Sequence, residues 1–129
     1  MDFYKIRIKT GHLTQEILEE DMEFAGCLGE VCRKAAEGYR LLDGLVVKAV
    51  LTGIEDPTYE VFPYNLSNEQ DNYKFARAYF IFENLFNDSE ECWEDFFNDW
   101  KLGCVEAEGP ICFDPEEIEV VEVMSEEQP

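Results

Sequence analysis

His12 is the sole histidine of the 129 residues, so any Cys-His pair, Ser-His-Asp triad or imidazole base depends on this one side chain. It follows Gly11 in the turn expected after a first strand, where a lone histidine is ordinarily incidental. Neither a Gly-x-Ser-x-Gly elbow nor a P-loop is present, and Gly26-Cys27-Leu28-Gly29 is too sparse for a phosphate cradle. Cys27, Cys32, Cys92, Cys104 and Cys112 are odd in number and contain no Cys-x-x-Cys, which points away from a disulfide framework or a zinc ribbon. They are expected to be reduced thiols, with Cys27, Cys32 and Cys92 on apolar stripes and buried. Carboxylates are what the chain has in excess. Paired carboxylates suit glycosidase or metal chemistry by type, yet Asp114-Pro115-Glu116-Glu117 lacks the Asp-x-Asp-x-Asp-Gly spacing of an EF-hand loop. The residues therefore predict no catalytic site, no metal and no cofactor.

Thirty acids against ten bases give a net charge of −20. That is far beyond the roughly 2 to 8 charges that keep a small domain soluble, and the self-repulsion destabilises the compact state. The excess is local. Residues 1–83 hold 15 acids and nine bases, whereas residues 84–129 hold 15 acids and one base, Lys101. Direct binding to nucleic acid or to an anionic membrane needs a Lys/Arg face, so both are disfavoured and a basic partner is expected.

Hydrophobic residues at 46% and aromatics at 14% supply a core to hold these acids in place. Phe3 to Lys9 alternates as a strand. Thr14 then caps a helix, with Leu13 and Leu18 as its hydrophobic staple, and Gly26 breaks it. The recurrence of Val31, Cys32, Ala35, Ala36, Tyr39 and Leu42 predicts a second helix from Leu28 that stops at Gly44. Leu45 to Leu51 reads as a strand buried on both faces except at Lys48, and Tyr59 to Phe62 as its hairpin partner. Ser67-Asn68-Glu69-Gln70 matches a capping box opening a helix whose body, Tyr73 to Phe86, is apolar around most of its circumference and should be central to the core. A further helix is expected to start on Asp88, with Glu91 at N3, and to run to Leu102 on a stripe of Cys92, Trp93, Phe96, Phe97 and Trp100. A hairpin around Gly109-Pro110 and Asp114-Pro115 and a strand at Ile118 to Val123 complete the chain. The expected fold is one small α+β domain over residues 1–124, a short, mostly antiparallel sheet against three or four helices, with a frayed tail at 125–129. The first residues lack the apolar run of a signal peptide and no stretch approaches 18 apolar residues, so a cytoplasmic location is expected.

The expected Asp88–Lys101 helix would be about 21 Å long. Asp88, Glu90, Glu91, Glu94, Asp95 and Asp99 would place one negative charge per roughly 3.5 Å of axis, close to the 3.4 Å per phosphate of one B-DNA strand. Like charges at Glu90/Glu94, Glu91/Asp95 and Asp95/Asp99 each cost about 0.2–0.5 kcal/mol, which a sequence selected only for folding would avoid by interleaving Lys. Glu106, Glu108, Glu116, Glu117, Glu119 and Glu122 would extend the surface along an adjacent strand. In charge and size the chain resembles small acidic proteins of several unrelated folds that imitate duplex nucleic acid: phage anti-restriction and anti-CRISPR proteins and uracil-glycosylase inhibitors. That resemblance implies an inhibitor occupying the DNA site of a basic nuclease or of a restriction or CRISPR effector, and it transfers no individual residue. Alternatives are an immunity protein for a basic toxin, a small carboxylate- or metal-dependent enzyme, and an acidic adaptor subunit.

Overall fold

Alternation of apolar and charged residues over Asp2–Ile8 makes strand β1, whose Ile6 and Ile8 are fully buried while Lys5 and Arg7 face solvent. A computed structural model of the chain describes residues 2–20, 29–63, 65–85, 92–105 and 109–125. The other strands are β2 (Val46–Thr52), β3 (Thr58–Val61), β4 (Ile111–Phe113) and β5 (Ile118–Ser125). They form an antiparallel sheet in the order β4-β3-β2-β1-β5. In the central register Lys5 lies between Lys48 and Glu122, and Arg7 between Val46 and Glu119.

The helices are α1 (Gln15–Glu20), α2 (Gly29–Leu42), α3 (Glu69–Glu83) and α4 (Trp93–Leu102). α1 packs on α2, α2 on α3 and α3 on α4. Ile6, Ile8, Val47, Ala49, Tyr59, Val61 and Phe113 from one sheet face join Leu42 of α2, Phe75, Ala78 and Tyr79 of α3, and Phe96 and Trp100 of α4 in one core. Leu18, Cys32, Ala35 and Leu85 form a satellite cluster, and the Leu13–Leu18 staple lies within it. α2 and α3 meet closely at Gly38, where an added Cβ would stand 2.9 Å from the Phe82 ring. This α+β domain has the expected class and a core-forming α3, although α3 also buries Asn72 and exposes Tyr73 and Lys74.

Several local expectations are corrected. β2 is not buried on both faces, because no described helix covers the second face of the sheet and Val46 and Val50 there are only half-buried. The cap of α3 is Asn68 rather than Ser67: its side-chain oxygen accepts from the Asp71 amide at 3.0 Å. In place of the hairpin expected around Gly109-Pro110 and Asp114-Pro115, β4 pairs with β3 on one edge of the sheet, while the strand expected at Ile118 to Val123 is present as β5 and pairs with β1 on the other. Between them Asp114 and Glu117 form a reciprocal capping box around the 3-10 turn Pro115–Glu117. Ser125 closes β5 opposite Asp2 instead of fraying. α3 ends at Glu83, with Asn84 as its C-cap, and does not run on to Phe86 as expected. The break at Gly26 and the tail at 126–129 lie outside the described residues. Among the described residues, no helix is long and apolar enough to cross a membrane.

Candidate partner-binding acidic surface

Cys92 has extended backbone angles (φ −83°, ψ 124°), so α4 begins at Trp93 and not at Asp88. Ring packing accounts for that start. Trp93 stacks on Phe97 (5.1 Å between centroids) and meets Tyr73 and Phe80 edge-on. Deeper in the interface, Trp100 contacts Phe75 and Tyr79, and Phe96 contacts Phe80. The Trp100 indole N–H donates to Asn72 Oδ1 at 2.9 Å, tying α4 to α3. Gly103, at φ 75°, ends the helix in the left-handed conformation that a side chain would strain.

Opposite this aromatic face, Glu94, Asp95 and Asp99 are exposed, and none has an ion pair among the described residues. Glu94 and Asp95 lie in the first turn of α4, where the helix dipole favours carboxylates and offsets part of the Asp95–Asp99 repulsion. Neighbouring cations are turned to ring faces. Arg77 sits over Trp93 and Phe80 at 5.0 and 5.4 Å, and Lys101 over Phe97 at 4.9 Å. Three acids along about 15 Å of helix give one charge per roughly 5 Å, sparser than the expected array. Asp88, Glu90, Glu91, Glu106 and Glu108 lie outside the described residues.

The remaining candidates do not join this surface. Asn65 Nδ2 donates to the Lys101 carbonyl, and Pro63, Asn65, Trp100, Gly103 and Val105 line one cleft of about 300 Å³, which sets α4 beside the chain leaving β3. Glu119 and Glu122 lie on β5, at the far edge of the sheet. Glu119 is ion-paired to Arg7, Glu122 faces Lys5 across the strands, and the Glu117 carboxylate accepts from the Asp114 amide. Glu116 is exposed in the 3-10 turn. Among the described residues the candidate acids fall in two places, on α4 and on β5 with the turn before it, and the β5 carboxylates are partly neutralised by β1.

Cys32 is buried as expected, but Cys92 is exposed because it caps α4 instead of lying on its inner stripe; Cys27 lies outside the described residues. Cys104 and Cys112 are exposed, and partial burial together with the Glu60 carboxylate raises the Cys112 thiol above its ordinary pKa. His12 is exposed in the loop after β1. Among the described residues no group of three or more His, Cys, Asp or Glu side chains is placed to hold a metal ion. Sequence reasoning missed Asn72, the polar residue that positions α4. A buried Asn inside an apolar stripe is the signal that marks it.

The chain matches no known protein family, no curated protein and no solved structure.

Proposed function

We propose that this protein is an acidic inhibitor that binds a basic nucleic-acid-binding partner, a nuclease or a restriction or CRISPR effector of the kind phages counter, with α4 carboxylates standing in for DNA phosphates. The observation that carries this reading is the state of Glu94, Asp95 and Asp99: exposed, without ion pairs among the described residues, and borne on a helix fixed from behind by Trp93, Phe96 and Trp100. A helix already held in place loses no backbone freedom when its carboxylates meet arginine or lysine, and a net charge of −20 steers a cationic surface toward them. The protein acts by binding rather than by catalysis, and it works in the cytoplasm, where such effectors meet DNA.

Affinity capture from a host-cell lysate at low salt, eluted first with duplex DNA and then with salt, tests the proposal. Release of one or two basic nucleic-acid enzymes by DNA is expected. A basic partner that only salt displaces would move the reading to toxin immunity.

A further inference from the structure

The two edges of the sheet differ. β4 has three residues, too few to template another strand, whereas β5 has eight and, among the described residues, pairs only with β1. Its outer row of backbone donors and acceptors faces away from the sheet. Natural edges of this length are ordinarily guarded by charged residues, above all lysine, by proline, by a bulge or by a covering element. β5 has two glutamates and a bulge but no lysine or proline, and it carries Val120, Val121 and Val123, which are 40, 46 and 62% exposed, together with the exposed Met124. A register shift between Lys5 and Ile6 leaves Val121 unpaired at a bulge, so apolar side chains emerge on both sides of the strand. Acids punctuate this edge and the turn before it: residues 114–125 contain five carboxylates and no base.

We propose that β5 is a docking edge for an extended segment of a partner protein that alternates apolar and basic residues. The incoming strand takes main-chain hydrogen bonds from β5, covers Val120 and Val123 with its apolar side chains, and lays its basic side chains beside Glu119 and Glu122, whose carboxylates it shares with Arg7 and Lys5 of β1. Charge selects this occupant over a second copy of the chain. Antiparallel pairing of two β5 strands about an axis between Val120 and Val121 would set Glu119 of each copy against Glu122 of the other and join two molecules of net charge −20. The proposal does not rest on the α4 reading, since the two surfaces belong to different parts of the fold.

Two capped eight-residue peptides of equal composition serve as probes, one alternating valine and lysine, the other with four valines followed by four lysines. Binding is followed at physiological salt by amide chemical shifts and hydrogen exchange. The alternating peptide is expected to bind at least tenfold more tightly and to slow exchange of β5 amides. Val123→Lys, at an exposed position that folding does not need, should weaken it at least tenfold, while the Glu94→Lys/Asp95→Lys/Asp99→Lys variant should leave it unchanged. Equal binding of the two peptides, or shifts confined to α4, would overturn the proposal. So would a stable dimer of the free protein in sedimentation that Val123→Lys dissociates, because a second copy would then occupy the edge.

Discussion

Asn72 Oδ1 accepts two hydrogen bonds at once, from the Trp100 indole and from the Leu66 amide, each at 2.9 Å. One buried oxygen thus fixes both the loop entering α3 and the inner face of α4, and through α4 it sets where Glu94, Asp95 and Asp99 stand. Asn72→Leu leaves two donors without their acceptor, at about 1–3 kcal/mol for each that water does not reach. Trp100→Phe removes the indole donor but keeps a ring and the Leu66 bond, and should cost less. Urea unfolding of the two variants measures the difference, and Asn72→Leu should also weaken partner binding with no change in charge.

Gly38 gives a test whose sign opposes helix propensity. Glycine inside a helix is worse than alanine by roughly 0.5–1 kcal/mol, so propensity alone predicts that Gly38→Ala stabilises α2. The Phe82 ring, 2.9 Å from the added Cβ, must move, and overpacking of this kind costs about 1–3 kcal/mol. Net destabilisation is expected in thermal unfolding.

Reversing charge on α4 separates folding from binding. Asp99→Lys replaces a like-charge i,i+4 pair with an attractive one and places a cation in the C-terminal half of the helix, worth a few tenths of a kcal/mol on each count. Stability should be unchanged or slightly raised in urea unfolding, while affinity for the basic partner falls, which places these carboxylates in recognition and not in folding.

Much of the scaffold was legible because its signals are local. Tyr4, Ile6 and Ile8 alternate, Leu13 and Leu18 bracket a capping Thr14, and Phe75, Ala78 and Tyr79 recur at helical spacing. The start of α4 was not legible, since Asp88 and Glu91 match cap chemistry while the actual start is set by contacts of Trp93 with rings on α3. The position of Glu119 and Glu122 away from α4 was hidden for a related reason. Ile118 and Val120 alternate and mark a strand, but only long-range pairing with β1 carries β5 to the opposite edge from β4.

Cys112 provides a pH-dependent readout on the helix-free face. Burial, and secondarily the Glu60 carboxylate, raises its thiol above the ordinary value, so less thiolate is present at pH 8 than an unperturbed cysteine would have. Iodoacetamide should modify Cys112 more slowly than the exposed Cys104, as followed by peptide mass spectrometry. Glu60→Gln removes the neighbouring charge and should speed modification of Cys112 without altering Cys104.

The most direct test of DNA-site occupancy is a gel-shift titration of the captured, purified basic enzyme on labelled duplex DNA. Wild-type protein should displace the DNA at close to one equivalent, with a potency that drops as salt rises. The Glu94→Lys/Asp95→Lys/Asp99→Lys variant should fail to displace it while remaining folded by circular dichroism. Displacement by the variant at the wild-type concentration, or an enzyme that holds inhibitor and DNA together, would contradict the assignment of α4 to the DNA site.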